Sequence, residues 1–182
     1  MRIRDATPDE MAEVGEIRVA AYVAGGSMST DSEYASTLRE LGADGNDVVL
    51  VAVFPDQDGS VGGAAGSGAG QGGRVAGTVM LQAWTGGGEV VTGPDQAEIR
   101  ALAVRPDAQG RGVGTELLRH VIERAAGMGV SRLMLATLPG MRAARRLYER
   151  AGFVRRPERD WSPAPGTILL VYEMRLAPGQ PR

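Results

Sequence analysis

A strand that runs directly into a glycine-rich turn and a helix, followed by a second strand–helix unit, dominates the middle of this chain. Residues 97–104 (AEIRALAV) predict a strand, and residues 109–114 (QGRGVG) form the turn. The helix that follows has apolar residues at helical spacing, namely Val113, Leu117, Leu118, Val121, Ile122 and Ala125. A second apolar strand at 132–137 precedes the segment LYERAGF at 147–153. Repeated strand–helix units of this kind predict a sheet covered by helices.

The rest of the chain adds strands at both ends. Thr7, Pro8 and Glu10 match a capping box before a helix over Pro8–Val23. Thr30 or Asp31 is expected to cap a second helix over Thr30–Leu41. Further strands are predicted around Ile3 and over Asp47–Phe54, Arg74–Trp84, Phe153–Arg155 and Thr167–Arg175. The order βααβββαβαββ does not alternate strictly, which favours a mixed sheet flanked by helices over a doubly wound one.

Composition limits the classes of protein that are compatible with this chain. Its 182 residues fit one domain, which we place at residues 1–177, with a flexible glycine-rich excursion at 55–73 and a disordered tail at 178–182. The net charge of −2 gives no indication of nucleic-acid or membrane partners. The chain has no cysteine, and we expect neither disulfides nor a metal site. No signal-like or membrane-spanning apolar segment is visible, so we expect a cytoplasmic protein.

The glycine-rich turn predicts an anion site. The first turn of a helix has free N–H groups and a partial positive charge, and glycine lets the backbone approach a phosphate closely. The G-x-G-x-G spacing at 110–114 differs from the G-x-G-x-x-G of dinucleotide-binding proteins. A P-loop requires lysine, which the chain lacks, and a hydrolase elbow requires serine at the turn. A turn that uses glycine only to change direction is the remaining alternative.

At these residues the chain resembles the GCN5-related N-acetyltransferase (GNAT) superfamily. The turn QGRGVG matches the family's Q/R-x-x-G-x-G/A pattern, and LYERAGF is similar to its L-Y-x-x-x-G-F segment. The resemblance implies a mostly antiparallel mixed sheet whose central parallel pair is splayed, with acetyl-CoA in the opening. It also implies a bulge in the strand before the turn. By resemblance, coenzyme A contacts the strand residues Leu102, Ala103 and Val104 and the turn residues Gln109, Gly110, Arg111, Gly112, Val113, Gly114 and Thr115.

Direct transfer of an acyl group from a thioester to an amine needs an exit for the amine proton and benefits from an acid at the leaving sulfur. The resemblance places Tyr148 as that acid, although its position on an apolar helix stripe also fits a core tyrosine. It places Glu98 as the base. By strand alternation Arg100 lies on the same face, so an ordinary ion pair with Glu98 is the alternative.

The acceptor is a primary amine that the sequence does not identify. Candidates for the walls of its site are Tyr22, Tyr34, Trp84 and Trp161, each of which also fits ordinary packing. Family members often have Asn where this chain has Met141, so Arg142 or Arg145 is expected to replace that coenzyme contact. A non-catalytic acyl-CoA-binding sensor is the alternative function. Homodimers are common in the family, and one is an expectation here.

Overall fold

The computed structural model describes residues 1–55 and 73–177. The glycine-rich excursion predicted at 55–73 lies outside the described residues except for Pro55 and Gly73, and the predicted tail at 178–182 lies outside them entirely. Among the described residues, no helix is long and apolar enough to cross a membrane.

The described residues form a mixed sheet of eight strands. Their spatial order is β1-β2-β3-β4-β5-β8-β6, and β7 pairs with β8 off this path. All neighbouring strands are antiparallel except β4 and β5. The strands are β1 (Arg2–Asp5), β2 (Val48–Phe54), β3 (Arg74–Ala83), β4 (Gln96–Val104), β5 (Arg132–Thr137), β6 (Val154–Arg155), β7 (Trp161–Ala164) and β8 (Thr167–Arg175).

Four α-helices in the described residues cover the two faces of the sheet. They are α1 (Met11–Ala24), α2 (Tyr34–Glu40), α3 (Val113–Gly127) and α4 (Arg142–Ala151). The apolar stripe of α3 and Tyr148 of α4 pack with Ile99 and Leu135 on one face. Residues of α1 pack on the other face against Val51, Met80 and Ala103, and residues of α2 pack there with Ala101. The predicted fold class is confirmed, because strands that bury both faces, such as β2, need a helical layer on each side.

The only parallel pair in the described sheet separates part-way along its length. β4 and β5 are paired from Gln96–Arg132 to Ile99–Leu135, after which β5 continues beside β8 and β4 has no partner on that edge. A bulge in β4 follows at once, because Thr78 and Met80 of β3 face Ala103 and Arg100. Ala101 lies in the bulge with a φ of 51°, the one non-glycine residue with positive φ among those described. The resemblance therefore predicted both features correctly.

The structure corrects one local prediction, adds one strand that was not predicted and confirms the capping box. The second helix begins at Tyr34 and not at Thr30, with Glu33 at its N-cap in place of Thr30 or Asp31. The strand β7 was not predicted, since its sequence WSPA contains proline and does not alternate. The capping-box prediction is confirmed, with a 3-10 turn over Pro8–Glu10 before α1 and the Thr7 amide donating to Glu10 Oε2 at 2.9 Å.

The bulge predicts a specific response to substitution at Ala101. Replacement by Val should destabilise the protein by about 2 kcal/mol, because a β-branched side chain tolerates positive φ poorly. Replacement by Gly should keep the free energy of unfolding within about 1 kcal/mol of the original, since relief of backbone strain offsets the lost methyl group. Urea unfolding followed by circular dichroism measures both. A Val variant as stable as the Gly variant would contradict the left-handed conformation.

Candidate active site

The glycine turn adopts backbone conformations that glycine makes accessible. Gly110 and Gly112 have φ values of 75° and 79°, and Gly112 is the N-cap of α3. A side chain in this left-handed region costs about 1–2 kcal/mol, so two glycines in three residues let the chain turn sharply from β4 into the helix. Gly114 has ordinary helical geometry, and a Cβ there would meet Leu147 and Val104 at 3.4 and 3.6 Å. This spacing explains physically why the family pattern accepts either glycine or alanine there.

A cleft of about 750 Å³ lies beside this turn. Its walls are the unpaired end of β4, the first turn of α3, one face of α4 and the C-terminal end of α1. The amide groups at the start of α3 have no partner within the helix, which makes this end of the cleft suitable for an anion. The unpaired backbone of β4 supplies a second set of hydrogen-bonding groups along the cleft.

The cleft contains almost all the residues predicted to contact coenzyme A. Nine of the ten line it, namely Leu102, Ala103, Val104, Gln109, Gly110, Gly112, Val113, Gly114 and Thr115. Arg111 does not line the cleft through its side chain, because its guanidinium stacks over the Phe54 ring at 4.0 Å. The backbone amide of Arg111 belongs to the turn, which is the contact that the resemblance implies.

Helix α4 contributes two residues to the cleft that sequence reasoning missed, Arg146 and Arg150. Met141 and the expected Arg142 also line it. The arginines recur four residues apart along α4 and therefore share one face, a spacing that could have identified them. Arg145 points elsewhere and donates to Tyr172 Oη at 3.1 Å and to the carbonyl of Pro139 at 3.3 Å. Of the two arginines expected to replace the family Asn, only Arg142 lies at the cleft.

Tyr148 is buried near the parted strands. Its ring contacts Phe153 at 6.0 Å and Tyr172 at 6.5 Å between centroids, and 7% of the residue is exposed. Burial raises the pKa of the Tyr148 phenol above its usual value of 10, so the hydroxyl keeps its proton at neutral pH. The phenol also acts electrostatically on Tyr22 of α1, across the sheet. Tyr148 is thus a core residue that keeps its proton, and it lies on a helix that forms one wall of the cleft without itself lining the cleft.

Glu98 is half-buried on β4, where it faces Gln82 of β3 and Met134 of β5. Burial raises the pKa of its carboxyl to about 7, against an opposing effect of Arg100. Arg100 donates through Nη1 to Gln82 Oε1 at 3.1 Å. Among the described residues, neither a hydrogen bond nor a close ion pair is formed by Glu98. Arg100 therefore forms no close ion pair with Glu98, although its positive charge still acts on the carboxyl.

The four aromatic residues predicted as acceptor walls form two separate pairs. Tyr22 lines the cleft, and its ring lies 6.3 Å from that of Tyr34. Trp84 and Trp161 pack against a buried cluster that contains Met134, the β5 neighbour of Glu98. The indole nitrogens of both are buried without a hydrogen-bond partner among the described residues. Both pairs thus lie on the sheet face that carries α1 and α2.

Comparison with known proteins identifies the family. A model described as the acetyltransferase (GNAT) family matches residues 35–153. The chain belongs to this family. The match includes the glycine turn, the two parted strands and the tyrosine of α4, and it ends at Phe153, the last residue of the LYERAGF segment.

Individual relatives agree with this assignment. An uncharacterized N-acetyltransferase of Schizosaccharomyces pombe is 32% identical over 82 residues, which are 45% of this chain and 50% of that protein. The match thus spans about half the length of that relative. A GNAT-family acetyltransferase structure from Staphylococcus aureus has a TM-score of 0.69 at 14% identity, covering 97% of this chain and 99% of the other. A protein from Salmonella typhimurium solved with its cofactor acetyl-CoA has a TM-score of 0.63 at 20% identity, covering 100% and 97%.

Glu98 and Glu10 should affect stability with opposite pH dependence. The folded pKa of Glu98, about 7, exceeds its usual 4.5, so its contribution to stability is present below pH 4.5 and lost as pH rises through 7. Hydrogen bonds from Arg4 lower the pKa of Glu10 to about 2, so its contribution is present above pH 4.5 and lost as pH falls.

Relative to the original protein, Glu98→Gln should gain stability between pH 4.5 and 8. Glu10→Gln should be less stable at pH 7, with a deficit that shrinks below pH 4.5. Urea unfolding across this pH range measures both differences. Parallel pH profiles for the original and the Glu98→Gln protein would contradict the raised pKa of Glu98.

Proposed function

We propose that this protein is an acetyl-CoA-dependent N-acetyltransferase that moves an acetyl group directly to a primary amine. The observation that carries the proposal is one cleft formed by the N-terminus of α3, the unpaired end of β4 and helix α4, with Glu98 and the buried Tyr148 on two of these elements. Family membership supports the reaction class. The relatives named above support an acyl donor of the coenzyme A type, since one related fold is described with acetyl-CoA.

The residues of the cleft fit coenzyme A. The free amides from Arg111 to Thr115 at the start of α3 are suited to the pyrophosphate, and a Cβ at Gly110 or Gly112 would meet no atom within 4 Å, so the backbone there is open to a ligand. The unpaired edge of β4 at Leu102–Val104 is suited to the amides of the pantetheine arm. Arg142, Arg146 and Arg150 add positive charge on the α4 wall, where phosphate groups would be held.

The two titratable groups divide the proton transfers between them. Acetyl-CoA supplies the acetyl group as a thioester, whose C–S bond breaks as the amine nitrogen forms its bond to the carbonyl carbon. Glu98, ionised above pH 7, accepts the proton that the amine must lose. Tyr148, which stays protonated because it is buried, provides the proton for the departing sulfur. Neither step requires a cysteine, which the chain does not contain.

Tyr148→Phe tests the reaction directly. Removing the phenol should lower kcat by about 10- to 10⁴-fold and leave the affinity for acetyl-CoA nearly unchanged, because the proton is needed only as the sulfur departs. Coenzyme A release with a panel of primary amines measures turnover, and calorimetry measures binding. Tyr172→Phe is a matched control, since it deletes a neighbouring phenol whose partners are Arg145 and Glu149. Undiminished turnover by Tyr148→Phe would contradict the role of Tyr148 as the acid. Binding of acetyl-CoA by the original protein without turnover of any amine would favour the non-catalytic sensor.

Gly112→Ala tests the coenzyme site independently of catalysis. An added Cβ at a φ of 79° shifts the turn by disfavouring its left-handed geometry, so acetyl-CoA should bind about 10-fold more weakly. Gly127→Ala is the control, because Gly127 lies at the other end of α3 with open space around its Cα and no positive φ. Calorimetry with acetyl-CoA measures both. Equal affinities of the two variants would contradict the assignment of the turn.

A further inference from the structure

Arg18 of α1 is a wholly buried arginine with unused hydrogen-bonding groups. It is 0% exposed, and its Nη1 donates to the carbonyls of Leu38 and Leu41 at 3.2 and 2.6 Å, near the end of α2. Its Nε and Nη2 have no partner among the described residues. Leaving two buried donors of a charged group unpaired is costly, and burial lowers the pKa of Arg18 to about 10.

The free atoms form one edge of the guanidinium. Nε–H and the nearer Nη2–H point in the same direction in the plane of the group, which is the fork that binds both oxygens of a carboxylate. The carbonyls of Leu38 and Leu41 accept hydrogen bonds from Nη1 alone. The arrangement therefore leaves the bidentate edge of Arg18 available while the remaining nitrogen holds the side chain in place.

A second arginine reinforces the positive charge at this point. Arg100 of β4 lies close enough for like-charge repulsion to lower the pKa of Arg18, and its Nη1 contacts only the uncharged Gln82. Tyr22 and Tyr34 are the other groups that act on Arg18. Within residues 1–55 and 73–177, neither arginine forms an ion pair within 4.0 Å of a carboxylate, although the charge of Arg100 acts on the carboxyls of Glu98 and Asp47. A single anion between the two guanidiniums would pair both.

Neither arginine lines the cleft itself, but each lies on an element that does, beside a residue of the proposed acetyl-transfer site. Arg18 precedes Tyr22 by one helical turn and shares its face of α1, and Tyr22 lines the cleft. Arg100 and Glu98 are separated by one residue on β4 and share a face of the sheet. If the amine nitrogen of an acceptor lies near Glu98, a group attached to the adjacent carbon of that acceptor would lie close to the two guanidinium groups.

We propose that the acceptor is an amino acid or a similarly small amine that carries a carboxylate, with the carboxylate bound by Arg18 and Arg100 and the amine directed to Glu98. The proposal rests on the acetyltransferase function proposed above. Because Arg18 is fully covered, binding requires a local opening at the Tyr22–Tyr34 pair, and Tyr34 is 44% exposed at the start of the short helix α2.

Matched acceptor pairs test this assignment. Each of the common L-amino acids is compared with its amide, which keeps the amine and removes the negative charge. Turnover is measured as the release of coenzyme A from acetyl-CoA. At least one acid should exceed its amide in kcat/KM by about 100-fold or more, since a site built for a polar group rejects the analogue that lacks it. Amides with turnover equal to the acids in every pair would overturn the carboxylate site and leave the acetyltransferase function standing.

Two variants test whether Arg18 and Arg100 bind the carboxylate. Arg18→Lys keeps a positive charge but loses the fork, and Arg100→Gln removes the second charge. Each should lower the acid-to-amide ratio at least about 10-fold, mainly through KM for the acid. Arg124→Gln is the control, because Arg124 pairs with Asp5 at 2.8 Å, away from the cleft, and its ratio should be unchanged. Unaltered ratios in both test variants would overturn the proposal, and Arg100→Gln decides the question alone if Arg18→Lys does not fold.

A binding measurement covers the case in which no acceptor is acetylated. N-Acetylalanine and N-acetylalaninamide, the two products expected from alanine and its amide, are titrated by calorimetry into the protein saturated with coenzyme A. Tighter binding of the acid, lost in Arg100→Gln, would support the carboxylate site and count only against the catalytic function. Equal binding of the two, or binding of neither, would overturn the carboxylate site.

Discussion

The separation of β4 from β5 is the structural constraint on which the proposed site depends. Two parallel strands in a sheet would normally stay paired along their length, but here the pairing ends at Ile99 and Leu135. The bulge at Ala101 twists β4 away at that point, at a backbone cost of about 1–2 kcal/mol that the packing of α1 and α2 on its buried methyl offsets. The gap exposes a free strand edge and lets groups from both faces of the sheet approach each other.

The gap also explains the electrostatics of the site. The Glu98 side chain projects from β4 beside the opening, where it is largely shielded from water and has no hydrogen-bonded partner among the described residues. The effect of burial therefore exceeds that of the Arg100 charge, and the pKa of the Glu98 carboxyl rises. Arg100 could have neutralised it, but the side chain of Gln82 holds the guanidinium, and Gln82 is in turn within 3.2 Å of Asp47. Gln82 thus occupies the Arg100 guanidinium, and Glu98 has no close ion-pair partner among the described residues.

Sequence reasoning predicted one side of this molecule better than the other. The turn 109–114, the apolar stripe of α3 and the strands around them follow from local periodicity and from glycine, which report on neighbouring residues. The start of α2 at Tyr34 and the strand β7 could not be predicted in this way. The helix depends on packing of Ala35 and Leu38 against α1 and β4, and WSPA becomes a strand only because β8 lies beside it. The position of Arg145 could not be predicted either, since its partner Tyr172 is 27 residues away.

This difference has a physical origin in how the two faces are assembled. Most of the proposed coenzyme side comes from one contiguous run, residues 97–153, to which only the end of α1 is added. The opposite face combines Arg18 and Tyr34 near the N-terminus with Trp84 and Trp161, so its chemistry exists only after the chain has folded. In the sequence Arg18 is a single charge between Ile17 and Val19, and nothing local distinguishes it from a solvated helix residue. Its burial under α2 gives it the unpaired edge from which a carboxylate-bearing acceptor is inferred.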